Sequence, residues 1–251
     1  MRKKMVLIGC GSAMFTKGLV MDLLKHSEIS KWHLALCDID RDVLDAAEKL
    51  VKKMVAAKGA DVEISASTNR AELLPGADYV VVTIGVGKRE AWEKDVFIPR
   101  KYGIYQPVGD TAMPGGISRA MRMVPAMLDI VRDAEKLCPA AKFFNYANPM
   151  AIICRALMKA TSHPVTGLCI GVPDSVWYMA DTVGVPRGEV TARAVGMNHL
   201  TFIYKLMHKG EDLFPKLRDV LKKHDLTRFD ESATDPVMGG RGKDVLGEPF
   251  C

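Results

Sequence analysis

Met5-Val6-Leu7-Ile8-Gly9-Cys10-Gly11-Ser12-Ala13 reads as a short buried strand running into a glycine turn. An amphipathic segment from Phe15 to His26 follows, and then a second apolar run, Trp32 to Cys37, that closes on Asp38-Ile39-Asp40. Strand, Gly-x-Gly, helix, strand and acid in that order are the layout of a dinucleotide site. Glycines let the backbone turn tightly beside a pyrophosphate, which rests on the N-terminus of the next helix. The acid closing the second strand can accept hydrogen bonds from ribose hydroxyls. Gly9, Gly11, Ser12, Ala13 and Asp38 are therefore the expected cofactor-binding residues. The full pattern would place glycine at position 14, where this chain has Met14. An ordinary strand-turn-helix corner is the competing reading.

Working outward, strand and helix patterns alternate up to about residue 145. Strands are predicted at Met5–Ile8, Trp32–Cys37, Val62–Ala66, Tyr79–Thr83 and Lys142–Asn145, each short and largely apolar, with β-branched residues in the first, third and fourth. Arg41 to Lys58 carries a helical apolar stripe and stops at Gly59; Arg119 to Leu137 carries another. The methionines of the second stripe read as core filler. This alternation predicts an α/β, doubly wound parallel sheet of the Rossmann type.

Beyond Pro149 we expect a helix to about Ala160, a strand over Val165–Cys169 and a helix over Asp174–Val183. The texture then changes. Val190–Val195 and Leu200–Leu206 read as two strands of a new sheet, followed by a helix over Glu211–His224 and a polar Gly/Pro-rich tail. The expected organisation is a dinucleotide-binding domain over 1–165 and a partial α/β region for substrate and metal over 166–251. The finish, Gly247-Glu248-Pro249-Phe250-Cys251, has no terminal helix or charged tail, so the chain is expected to be a truncated piece of a longer protein.

Composition bounds the function. With 48% hydrophobic and 26% charged residues, the 251-residue chain is a globular protein with a sizeable core. No apolar run approaches the roughly 18 residues that span a bilayer, and Met5 to Ile8 is too short for a signal-peptide core. A cytoplasmic protein is expected. The six cysteines form no C-x-x-C pair, so reduced thiols are the default. The net charge of +5 is spread along the chain, which argues against nucleic acid and suits a small anionic ligand.

Candidate chemistry lies on loops after strand ends, where doubly wound sheets bind ligands. Besides the first turn these are Thr83–Glu90, Asn145-Tyr146-Ala147-Asn148-Pro149 and Gly167-Leu168-Cys169-Ile170-Gly171, with Gly109–Arg119 and Gly196-Met197-Asn198-His199 elsewhere. Cys169 and His199 are candidate ligands of a divalent metal, and two protein donors would leave room for substrate oxygens. A buried thiol and a core histidine are the alternative. Asn148 before Pro149 reads equally as a helix cap.

The combination resembles glycoside hydrolase family 4, the NAD- and metal-dependent glycosidases. The matching motifs, in order, are Gly9-Cys10-Gly11-Ser12, Gly109 to Arg122, Asn145 to Pro149, Gly167 to Cys169 and Gly196 to His199. They extend through nearly the whole chain, which resembles about the first half of longer family members, most nearly an α-galacturonidase and α-glucosidase branch. The resemblance implies NAD at Gly9, Gly11, Ser12 and Asp38, and Mn²⁺ or another divalent metal on Cys169 and His199. It also implies substrate contact at Asn148, and Arg119 holding anionic substrate or the loop itself. Phospho-sugar members are expected to carry an acid directly after the metal cysteine; this chain has Ile170, which cannot donate a proton. For the base, Asp244 is a candidate, or the base lies beyond Cys251.

The chemistry so implied differs from the usual two-carboxylate scheme. The sugar is oxidised at C3, which acidifies the C2 proton; the aglycone leaves by elimination and water adds. The expected substrate is an α-linked uronide or hexoside, and the expected assembly a homo-oligomer, dimer or tetramer. Two other functions fit the cofactor turn. An NAD-dependent 2-hydroxy-acid dehydrogenase would need a histidine and a carboxylate-binding arginine but no metal. A non-catalytic NAD-binding fragment would need neither.

Overall fold

The computed structural model describes residues 2–26, 31–105, 111–197 and 200–223. The chain divides into two compact units, Met1–Cys169 and Ile170–Cys251.

The first unit runs β1 (Lys3–Ile8), α1 (Ala13–Lys25), β2 (Trp32–Cys37), α2 (Arg41–Lys58), β3 (Val62–Ser67), α3 (Arg70–Leu73), β4 (Tyr79–Val82), α4 (Lys88–Arg100), α5 (Met113–Leu137), β5 (Lys142–Asn145), α6 (Met150–Ala160) and β6 (Val165–Gly167). The six strands form one parallel sheet ordered β3-β2-β1-β4-β5-β6. This is the doubly wound Rossmann-like order, and the chain reverses direction across the sheet between β1 and β4.

Both sheet faces are buried, which is why the strands read as unbroken apolar runs. Val6 and Ile8 join Val80, Val82 and Phe143 on one face, under Met123, Met127 and Val131 of α5 and Ile153 and Leu157 of α6. Leu7 points the other way and packs with Leu34, Leu36 and Val81 under Val20, Leu23 and Leu24 of α1 and Leu44 and Val51 of α2. Helix α2 has the ends its sequence announces. The Asp40 side chain accepts from Val43 N, and Gly59 closes the helix in the left-handed region at φ 65°. The unit divides after Cys169 because β6 pairs with β5 and completes the sheet.

Several boundaries differ from the sequence expectation. The α5 helix begins at Met113 rather than Arg119; Pro114 lies in its first turn, and Gly115 and Gly116 are buried inside it rather than in a loop. Helices α3 and α4 were not anticipated. Helix α1 begins at Ala13, and β6 stops at Gly167, two residues before Cys169.

The second unit contains α7 (Gly171–Val183), a 3₁₀ turn (Arg187–Glu189), β7 (Val190–Met197), β8 (Leu200–His208), β9 (Glu211–Asp212) and α8 (Phe214–Lys223). Its sheet is antiparallel, ordered β7-β8-β9, with a register shift at Arg193/Ala194. The expected two-stranded sheet thus has a third strand, because Glu211–Asp212 pairs back on β8 before α8 starts. Val176 and Val183 of α7, Leu206, Leu213 and Leu217 make its core. Among the described residues, no helix is long and apolar enough to cross a membrane.

Candidate functional site

The turn after β1 is built on close approaches that only glycine permits. Gly9 has φ 88° and donates to Cys37 O at 2.8 Å. At Gly11 a Cβ would meet Val43 Cγ1 at 2.2 Å and Asp38 Oδ2 at 2.8 Å. The turn therefore lies directly on the β2–α2 corner. Its carbonyls are held too: Thr83 Oγ1 donates to Gly9 O at 2.9 Å and Thr16 Oγ1 to Cys10 O at 2.6 Å.

Asp38 does more than sequence reasoning assigned it. Its Oδ2 accepts from Gly11 N at 2.8 Å and its Oδ1 from Asp40 N at 3.1 Å. The carboxylate thus pins the glycine turn to the end of β2. Each oxygen has a second lone pair, so acceptance from a ribose hydroxyl is compatible with this duty. Helix α1 starts at Ala13 with no side-chain cap from Ser12 and no acid in its first turn. That end suits an anion electrostatically.

A cavity of about 760 Å³ opens over these carboxyl ends. Gly9, Gly11, Ser12, Asp38, Arg119 and Asn148 all line it, so six of the residues singled out in the sequence share one space. Arg119 donates through Nε to Asn148 O at 3.1 Å, which places it as a holder of the Asn148 loop. Asn148 lines the cavity, and its Oδ1 accepts from Met150 N at 3.4 Å, although the residue at the cap position of α6 is Pro149. The Asn148–Pro149 peptide bond is cis. Buried Asn145 orders the same loop, accepting from Ala147 N at 2.9 Å and donating to Ala147 O at 3.1 Å.

The sequence reading did not single out Asp40, Lys88 or Tyr146 as wall residues. Lys88 Nζ lies 3.1 Å from Asp40 Oδ2, joining the loops after β2 and β4 along the cavity. This hydrogen bond, with a smaller one from Val43 N, holds the Asp40 carboxyl below the usual carboxylate range. Tyr146 tilts against Phe15 with ring centroids 5.6 Å apart, and burial pushes its hydroxyl pKa upward. The Thr83–Glu90 and Asn145–Pro149 loops that carry Lys88 and Tyr146 are expected to face a ligand, but local sequence does not show which of their side chains form the wall.

Behind that loop, buried Asp95 of α4 forms a two-pronged ion pair with Arg122 of α5. Removing Arg122 would strip the buried Asp95 carboxylate of both prongs of this pair, at a cost on the order of 3 kcal/mol.

Cys169 is exposed, just past β6. His199 and Asp244 lie outside the described residues. Among the described residues, no three or more His, Cys, Asp or Glu side chains gather as a metal cluster. Cys10 and Cys37 are buried; desolvation pushes their thiols up to about 12 and about 11, so at neutral pH they are inert core groups.

Comparison with known proteins agrees with the geometry. The family model described as family 4 glycosyl hydrolase matches residues 4–184. An α-galactosidase of Bacillus subtilis is 32% identical over 235 residues, covering 91% of this chain and 54% of the relative. An α-galacturonidase of Thermoanaerobacterium saccharolyticum is 33% identical over 243 residues, covering 92% and 52%. Among solved structures, the 6-phospho-β-glucosidase of Thermotoga maritima with manganese, NAD⁺ and glucose-6-phosphate superposes with a TM-score of 0.79. It is 27% identical, with 90% of this chain and 55% of that one covered. The chain spans about half the length of the curated relatives it matches.

Proposed function

The chain belongs to glycosyl hydrolase family 4, and on that premise we propose that the protein hydrolyses a glycoside with the help of NAD⁺ and a divalent metal, Mn²⁺ first. The route is oxidation at C3 of the sugar, elimination of the aglycone and addition of water. One observation carries this reading: a single cavity joins the Gly9–Ser12 turn to Asn148 and Arg119. A dinucleotide lying on the turn would put its far end toward the Asn148 loop.

When bound, NAD⁺ accepts and returns a hydride and the metal acts as a Lewis acid toward sugar oxygens. The chain's own residues position these groups. The Gly11 N–H is already fixed by Asp38, and the uncapped start of α1 suits a pyrophosphate. Asp38 keeps lone pairs for the adenosine ribose. Asn148 and Arg119 orient substrate beside the cofactor. Cys169 and His199 are the proposed metal donors; a thiolate and an imidazole by themselves suit Zn²⁺, and Mn²⁺, which favours oxygen donors, is proposed from the family. Asp244 stays the candidate base. Ile170 follows Cys169 and cannot protonate a leaving group, which turns the proposal away from phosphorylated α-glucosides. The α-galacturonidase and α-galactosidase relatives support an α-linked uronide or hexoside as substrate. A cytoplasmic location and a dimeric or tetrameric assembly belong to the same proposal and rest on the family.

The test is nitrophenol release from p-nitrophenyl α-galacturonide, α-galactoside and α-glucoside. Turnover should need both NAD⁺ and Mn²⁺ and stop on chelation. Turnover that ignores both would overturn the proposal, as would metal-free oxidation of malate or lactate. Because the chain spans about half its relatives, a second reading stands beside this one: NAD⁺ binding without hydrolysis of any glycoside.

A further inference from the structure

We propose that Arg122 is the positioning residue of the cofactor groove. It grips the loop of residues 84–88 from behind and sets that wall before a dinucleotide arrives. The inference rests on the cofactor reading of the groove.

The loop follows β4, and Ile84, Gly85, Val86 and Lys88 line the cavity. Val86 makes both of its main-chain hydrogen bonds to consecutive side chains of α5. Its N–H donates to Met123 Sδ at 3.2 Å, and its carbonyl accepts from Arg122 Nε at 3.0 Å. Arg122 cannot swing away, because its other two nitrogens are spent on Asp95. Nη1 donates to Oδ1 at 2.9 Å and Nη2 pairs with Oδ2. Asp95 is only 3% exposed. The guanidinium is a rigid planar fork, so a carboxylate that fixes two prongs also fixes the direction of the Nε–H. The buried ion pair therefore aims the third donor at Val86.

The grip meets a backbone that needs one. Gly87 has φ 83° and Lys88 φ 49°, two left-handed residues in succession, the second with a side chain. At Gly87 a Cβ would fall 2.4 Å from Ala91 Cβ and 3.4 Å from Arg122 Nε, so the loop is pressed onto its support. Lys88 N closes the turn on Gly85 O at 3.1 Å. From there Lys88 Nζ reaches Asp40 at 3.1 Å. Asp40 caps α2, the helix whose Val43 abuts Gly11. The 84–88 loop is thus fixed at both ends, to α5 behind and to the Asp38–Asp40 corner along the groove. A wall ordered in advance lowers the ordering cost of binding.

The experiment compares Arg122→Lys with Val131→Ala, using NAD⁺ titration calorimetry, melting temperature and peptide-level hydrogen exchange. Lysine keeps a cation beside Asp95 but lacks the fork. It should raise the Kd for NAD⁺ about tenfold and speed exchange in peptides over 84–88, leaving the rest of the unit protected. Val131 is buried in the same helix and does not line the cavity; its truncation should lower the melting temperature while the Kd stays within about twofold. Wild-type Kd and wild-type exchange in Arg122→Lys would overturn the proposal. So would an equal Kd rise in Val131→Ala, which would reduce the effect to general destabilisation. If the unmodified protein binds no NAD⁺, the cofactor reading falls and takes the proposal with it. The exchange data distinguish that failure from a failure of the grip itself.

Discussion

The parallel sheet of the first unit is covered on both faces, whereas the antiparallel ribbon of residues 190–212 is covered on one. Phe143 and Phe202 make the contrast concrete. Phe143, on a central parallel strand, is 1% exposed; Phe202, on β8, is 62% exposed, with Val195 opposite it at 56%. Crossover helices must return a parallel strand's chain over the sheet, so both faces acquire a layer. A hairpin returns within the sheet plane and needs no such layer. The value of an aromatic residue here follows from the face it occupies, not from its type.

The largest test of that contrast is Phe143→Ala. It should lower unfolding free energy by about 3–5 kcal/mol, read from urea denaturation, and speed exchange across β4, β5 and β6. A loss below about 1 kcal/mol would mean the first unit's core is looser than its burial suggests.

Gly11→Ala sharpens the comparison at the groove. The new methyl would press on Val43 and on the Asp38 carboxylate, costing about 1–3 kcal/mol through overpacking. Titration should show NAD⁺ binding lost, because relief requires moving the turn off the β2–α2 corner. Unchanged affinity would remove the turn from the cofactor site.

Alkaline pH should act on the first unit through its buried thiols. Cys10 and Cys37 have folded values of about 12 and about 11 against an ordinary 9.0. Above pH 9 the unfolded chain loses these protons while the folded chain keeps them, so stability falls as pH rises. Each thiol should remove about 1 kcal/mol between pH 9 and pH 10, seen as a falling melting temperature. Cys37→Ala should flatten that slope by about half, whatever its effect on stability at pH 7.

The smallest effect is expected from Phe202→Ser. On an open face it should change unfolding free energy by less than about 0.5 kcal/mol. A cost above about 2 kcal/mol would show that this face is covered in solution, and the contrast between the two sheets would fail.

Where local pattern and burial agree, the sequence already contained the structure. Helix α2 ends where its stripe meets Gly59, β5 spans Lys142–Asn145 as read, and the glycine turn stands between strand and helix as read. Periodicity and capping are short-range, and each can be seen from a few neighbouring residues. What the tertiary structure decided are the cases where a residue's partner is distant. Helix α4 was illegible because its buried positions are Asp95, Val96 and Pro99 rather than an apolar stripe. The buried Asp95 carboxylate is met by Arg122 of α5, a partner 27 residues away. Gly115 and Gly116 read as part of a candidate loop, yet they lie inside α5. Asp38 read as a ribose acceptor, and folding also gave it the Gly11 N–H. In the second unit, Glu211–Asp212 became a strand because β8 offered an edge to pair with. Gathering Gly9, Asp38, Arg119 and Asn148 around one cavity required the strand order β3-β2-β1-β4-β5-β6, which sets β2 and β4 on either side of β1 and β5 next to β4. Hydrogen-bond and ion-pair partners far apart in sequence leave no periodic trace, so only the folded chain could assign them.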